Sequence, residues 1–216
     1  MPSASALDAV TVDAAGTAVE LVPPFERLQA SLAERGVVRG LGDVRVAFAA
    51  EVAYYVPRSL EGRNETSLAA LRREAVGVFL DHLAAGLEPD SFVGAFIGAI
   101  EFRPAEGAVA ALRALRAAGL ELACVANWDV SLEPHLRRAG VASYFTTIVS
   151  SAEAGAAKPD PAPFLLALER VGVRPARALH IGDDGVDVEG ARAAGLAFEP
   201  VPLATLPERL GLRSVR

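Results

Sequence analysis

Apolar positions repeat with two different periods along this chain, and the change of period divides it into segments. Ala9-Val10-Thr11-Val12 is a short β-branched run stopped by Asp13, with Ala15-Gly16-Thr17 behind it as a turn. That pattern predicts a strand with Asp13 at its carboxyl end. From Val22 to about Phe102 the spacing is helical throughout, at Phe25–Leu28, Val44–Tyr55, Leu68–Leu83 and Ser91–Ile100, with no strand signal between them. After Pro104 helices and strands alternate: helix Gly107–Ala118, strand Leu120–Ala126, helix Ser131–Arg138, strand Thr146–Ser150, helix Pro161–Val171, strand Ala178–Ile181 and helix Asp187–Ala194, ended by Gly195. The tail from Glu199 predicts one more strand and a short helix.

Strands that alternate with helices imply parallel order and right-handed crossovers. The expected fold class is therefore α/β, a Rossmann-like three-layer core with a central parallel sheet over residues 1–21 and 103–216, plus an all-helical insertion over residues 22–102. A chain of 216 residues accommodates one good core and a smaller appended unit.

Composition narrows the partners. The formal charge of −6 argues against a nucleic acid or an anionic membrane. Cys124 is the single cysteine and sits in an apolar run, so no internal disulfide forms and a reducing cytoplasm fits. Met1 to Leu7 has no basic region leading into an apolar core, and no apolar stretch approaches the length of a bilayer. The expected setting is cytoplasmic, as a monomer or homodimer.

Candidate chemistry lies where strand-like runs end. Asp13, Asn127, the Asp183-Asp184 pair and Asp187 each follow such a run, and Lys158, the only lysine in the chain, enters a helix in Lys158-Pro159-Asp160-Pro161. Adjacent parallel strands would bring these groups to one rim of the sheet. Carboxylates crowded to about 4–6 Å repel one another unless a cation intervenes, and hard oxygen donors on an open site suit Mg²⁺. A single aspartate after a strand is often only a helix cap, and Asp160 reads as one; it is the four acidic and basic positions in order that point to chemistry. His82, His135 and His180 do not pair at metal-ligand spacing, which argues against zinc. Trp128 reads as packing under a loop.

The ordered set resembles the haloacid dehalogenase-like superfamily. Its first motif, a strand followed by D-x-D-G-T, stands here as Asp13-Ala14-Ala15-Gly16-Thr17; its third, a lysine before proline, is Lys158-Pro159; its fourth is Gly182-Asp183-Asp184 with Asp187. The helical insertion after the first motif is similar to the small cap of one subclass. The resemblance implies a hydrolase of phosphatase type acting on a small phosphorylated metabolite, with Asp13 as nucleophile and Lys158 balancing charge. It implies Mg²⁺ held by Asp13, Asp183, Asp187 or Asp184, and the backbone carbonyl of Ala15. Gly16, Thr17 and Asn127 would bind phosphate.

Two departures bear on turnover. Family phosphatases carry an acid–base aspartate where this chain has Ala15, a loss on the order of a hundredfold or more. Ala126 replaces the serine or threonine of the second motif. A catalytically impaired relative that binds a phosphorylated ligand or a protein partner is therefore the alternative reading. The Ala15 variant also resembles phosphonatase, whose second lysine this chain lacks, and 2-haloacid dehalogenase, for which Arg45 could bind a carboxylate. In the insertion, Tyr54, Tyr55, Arg58 and Arg63 surround Pro57 and Gly62. Either Tyr54 and Arg58 grip an anionic substrate tail, or the stretch is ordinary helix ends with snorkelling arginines.

Overall fold

The computed structural model describes residues 6–212, so most of the Met1 to Leu7 reading lies outside the described residues. Its main sheet has five parallel strands in the order β5-β4-β1-β6-β7. They span Ala9–Val12 (β1), Glu121–Ala126 (β4), Thr147–Ser150 (β5), Ala178–Gly182 (β6) and Ala197–Pro200 (β7). The strands alternate with helices Ala108–Ala117 (α5), Leu132–Arg138 (α6), Ser151–Ala154 (α7), Ala162–Val171 (α8), Gly185–Ala194 (α9) and Leu206–Arg209 (α10).

The near-continuous apolar character of β1, β4 and β6 is explained by burial on both faces. Val10, Val12, Leu122, Cys124, Leu179 and Ile181 point into one core with Leu112, Leu115, Leu132 and Leu136. Their neighbours Ala9, Ala123, Val125 and Ala178 point into a second core with Phe164 and Leu168 of α8 and Ala191 of α9. Each fully buried leucine or phenylalanine contributes about 1.5–3 kcal/mol. A register slip of one residue would exchange the two faces, so three layers follow from the period-2 geometry.

The chain divides into two compact units, residues 1–20 with 102–216 and residues 21–101. The second holds four helices, Phe25–Ala33 (α1), Leu41–Tyr55 (α2), Glu65–His82 (α3) and Pro89–Ala99 (α4). Its core is aromatic: Phe79 stacks on Phe92 at 5.9 Å and meets Phe96 edge-on at 5.1 Å. Asn64 begins α3 by accepting the Ser67 N–H at 3.0 Å.

The expectation that no strand interrupts the 22–102 block needs correction at its ends. Val19–Val22 (β2) pairs with Glu101–Pro104 (β3) in a two-stranded ribbon. Each strand is four residues long and ion-paired at its margins, Arg103 with Glu20 at 2.7 Å and Arg27 with Glu101 at 2.9 Å. So short a run, with charges inside it, gives no periodicity to read. Among the described residues no helix is long and apolar enough to cross a membrane.

Candidate active site

Asp13 follows β1, Asn127 follows β4, Lys158 lies in the loop after α7, and Asp183 follows β6. Because β4, β1 and β6 are adjacent and parallel, their carboxyl ends share one edge. Asp13 and Lys158 are buried, at 6% and 5% exposure, and Asp187 is at 1%.

Lys158 is fixed from both ends. The Asn127 side chain accepts the Lys158 backbone N–H at 2.7 Å and donates its amide to the Lys158 carbonyl at 3.0 Å. The Lys158 ammonium donates to Asp13 Oδ1 at 2.5 Å, to Asp187 Oδ1 at 2.6 Å and to the Val125 carbonyl at 3.2 Å. All three of its protons are thereby used. Asn127, expected to bind phosphate, thereby brackets the main chain of Lys158 through its amide oxygen and one of its two amide N–H groups.

Two glycines make room for the acidic groups. Gly16 has φ +77°, and a Cβ there would lie 2.3 Å from an Asp183 carboxylate oxygen. A Cβ on Gly182 would lie 2.3 Å from the Asp187 carboxyl. Gly16 thus creates space, while its own N–H is spent on the Val19 carbonyl at 2.9 Å. The Thr17 N–H turns back to the Ala14 carbonyl at 3.4 Å, and its buried hydroxyl has no hydrogen-bond partner among the described residues. The phosphate-binding role expected of these two residues therefore receives no support from their N–H groups. Ala15 is exposed at the turn.

Ligand oxygens of Asp13, Asp183 and Asp187 all lie within 4.8 Å of one another. An octahedral Mg²⁺ shell spaces its oxygens about 3–4 Å apart, so a modest contraction would suit the ion. Asp184, also expected among the ligands, stands outside this group. It caps α9, its carboxylate accepting the Asp187 N–H at 3.1 Å.

The residue missed by sequence reasoning is His180, fully buried within β6. Its Nε2 lies 2.9 Å from Asp187 Oδ1, and its Nδ1 lies 2.9 Å from the Thr11 hydroxyl, whose Cα is its register partner on β1. Burial pushes the His180 imidazole below its usual value, so the ring is neutral. Nδ1 also lies 3.1 Å from the Thr11 main-chain carbonyl, an acceptor; an ionised Asp187 favours the proton on Nε2, and Nδ1 then accepts from the Thr11 hydroxyl. Two polar residues inside otherwise apolar strands were the signal.

Electrostatics follow from this packing. Burial raises Asp13 to about 7; Lys158 works against that rise, while Asp187 and Asp183 add to it. Asp183 is raised by burial and by Asp184 and Asp187. Burial would also raise Asp187, but the hydrogen bond from His180 and the ammonium of Lys158 outweigh it and hold the carboxyl well below the usual range. Lys158, which burial alone would strip of its proton, is kept charged by Asp13 and Asp187. Three carboxylates face one ammonium. The cluster is left short of positive charge, as a divalent-cation site would be.

The family profile of haloacid dehalogenase-like hydrolases matches residues 7–195. The chain belongs to this family. It is 43% identical over 101 residues to the phosphoglycolate phosphatase of Thiobacillus denitrificans, a match covering 46% of this chain and 44% of that one. A longer match, 30% identical over 195 residues, covers 87% of this chain and 78% of the plasmid-borne phosphoglycolate phosphatase of Cupriavidus necator. The chain thus spans less than half the length of the first of these relatives. Among solved structures, the L-2-haloacid dehalogenase of Xanthobacter autotrophicus superposes with a TM-score of 0.64 at 25% identity, covering 97% of this chain and 84% of that one. One fold carries both chemistries, so the site has to decide between them.

In the helical unit, Tyr54 and Arg58 are engaged with each other and with their neighbours. The Arg58 guanidinium lies 4.1 Å from the Tyr54 ring centre and donates to the Tyr54 carbonyl at 3.0 Å, while the Tyr54 hydroxyl donates to Glu74 at 2.9 Å. Arg45, considered as a carboxylate binder, stacks over Phe25 at 5.0 Å. Trp128 packs edge-on against Phe102 at 5.0 Å.

Proposed function

We propose that the chain is a Mg²⁺-dependent phosphohydrolase acting on a small phosphorylated metabolite, with Asp13 as nucleophile. The observation that carries this reading is the Lys158 ammonium bridging Asp13 and Asp187, with Asp183 in reach of both carboxylates. Phosphatase relatives with 43% and 30% identity support it.

Lys158 engages Oδ1 of Asp13, which leaves the second oxygen to attack phosphorus. The new Asp13 O–P bond forms as the bond to the leaving oxygen breaks, giving an aspartyl-phosphate. Water then attacks phosphorus, the Asp13 O–P bond breaks and phosphate departs. Asp13, Asp183 and the Ala15 carbonyl are the groups that would hold the metal. Asp187 stands behind them with both oxygens engaged, Oδ2 accepting the Asp183 N–H at 3.2 Å. Bound Mg²⁺ supplies charge neutralisation, keeping Asp13 ionised and offsetting the phosphoryl oxygens. A carboxylate is a weak nucleophile, so positioning and charge provide the acceleration.

Ala15 has no proton to give. The leaving oxygen must take one from solvent, which favours substrates whose leaving group is acidic and slows alkyl esters by about 10²–10⁴. The helical unit, read as a cap, would select among metabolites. The test is steady-state turnover of a phosphate-ester panel with Mg²⁺, with Asp13→Asn as control; turnover that survives the substitution sinks the assignment.

Ala15 and Ala126 also favour a second reading, a weakened relative that binds a phosphorylated ligand or a protein partner without turning it over. Binding of inorganic phosphate without hydrolysis of any ester on the panel would select it.

A further inference from the structure

We propose that His180 is a positioning residue for the Asp13–Lys158 pair, acting through Asp187. The inference rests on the reading of that pair as the reaction centre. Asp187 Oδ1 is shared between the Lys158 ammonium at 2.6 Å and His180 Nε2 at 2.9 Å, while Oδ2 accepts the Asp183 N–H. With a donor on each oxygen the carboxylate plane is fixed, and Oδ1 is the point from which Lys158 is held against Asp13.

His180 is itself held rigidly. It is fully buried, its ring meets Phe164 edge-on at 4.8 Å, and Thr11 engages Nδ1 from the register-paired position on β1. Without the imidazole N–H, a buried carboxylate loses one of its donors and gains freedom to rotate. Lys158 would then move with it, since a buried charge seeks its nearest compensation. Groups that orient the residues of a metal site in this way usually affect function by about 10 to 100-fold when removed.

The test uses the chain's single lysine. Lys158 gives one side-chain signal when the protein is labelled with ¹³C,¹⁵N-lysine, so its environment can be read without substrate. His180→Phe keeps ring volume and the Phe164 contact but removes the N–H; His180→Gln keeps a donor. The Lys158 signal is expected to shift in His180→Phe and to stay near its normal position in His180→Gln. On p-nitrophenyl phosphate, kcat is expected to fall about 10 to 100-fold in His180→Phe with KM within about twofold, and to recover mostly in His180→Gln. With Asp187→Asn already present, His180→Phe should add nothing.

An unshifted Lys158 signal in His180→Phe, or an undiminished effect in the Asp187→Asn background, would overturn the proposal. Should His180→Phe not fold, Thr11→Val replaces it. Loss of the hydroxyl leaves Nδ1 facing only the Thr11 carbonyl, an acceptor, which draws the ring proton to Nδ1 and away from Asp187, so the lysine signal should shift in the same sense; an unchanged signal would count equally against the idea. Absence of turnover on every ester sinks the functional reading and leaves the lysine measurement intact.

Discussion

The Lys158 ammonium lies 2.5 Å from Asp13 Oδ1, although 145 positions separate the two residues in the chain. Parallel strands β4, β1 and β6 bring their carboxyl ends together, and Asn127 pins the lysine backbone so that its side chain can reach inward. Removing the ammonium leaves two buried carboxylates without their shared counter-charge, which makes the cluster testable through stability as well as activity.

Lys158→Met keeps length and removes the charge. It should lower the unfolding free energy of metal-free protein by about 3–5 kcal/mol, because buried carboxylates are left unpaired. Urea denaturation checks this, and added Mg²⁺ should return part of the loss.

Gly16→Ala should impair metal binding. The substitution strains a φ of +77° and drives a methyl into the Asp183 carboxylate. The backbone strain alone costs roughly 1–2 kcal/mol. Calorimetry with Mg²⁺ should find weaker binding than in the parent protein; unchanged affinity would remove Asp183 from the metal site.

Ala15→Asp should restore an acid–base group and raise turnover of alkyl phosphates by about 100-fold or more, with a smaller gain on p-nitrophenyl phosphate. Comparing the two substrates separates this effect from a general change in binding. No gain on either would show that more than leaving-group protonation is missing.

Glu51, buried in the helical unit, should make stability depend on pH. Burial raises its carboxyl from 4.5 to about 7. Below the lower value both states are protonated. As pH rises toward the upper one the unfolded chain ionises first, so stability falls and then levels off. Glu51→Gln should be more stable than the parent by up to about 2–3 kcal/mol above about pH 7 and indistinguishable near about pH 4. Melting curves at the two pH values check it.

Much of the site could be read in the sequence because Asp13, Lys158, Asp183 and Asp187 each follow or precede a clear change of pattern. Individual roles within it were harder to assign. Asp184 and Asp183 are neighbours of the same type, and only the helix geometry makes one a cap and the other a member of the acidic cluster. The contact of Asn127 with the Lys158 main chain has no sequence signal, because sequence does not say which backbone an amide will face. His180 has no partner at metal-ligand spacing in the sequence, since Thr11 and Asp187 meet it through strand register and a helix start. The β2–β3 ribbon escaped because four-residue strands carry no period.

Oxygen-18 distinguishes the two chemistries that this fold hosts. In a single turnover in labelled water, a phosphatase delivers the label to phosphate, because water attacks phosphorus. A dehalogenase delivers it to the Asp13 carboxylate, because water attacks carbon. Mass spectrometry of the Asp13 peptide should find no label after turnover of a phosphate ester.

The most direct measurement is chemical trapping of Asp13 during turnover. With p-nitrophenyl phosphate, whose leaving group needs no proton, the absence of an acid–base group at position 15 slows only hydrolysis of the aspartyl-phosphate, and the intermediate should accumulate. Acid quench followed by borohydride reduction and peptide mapping should find Asp13 reduced to homoserine in the parent protein and intact in an unreacted control. Steady phosphate release with Asp13 unmodified, or with the adduct on another residue, would contradict the account.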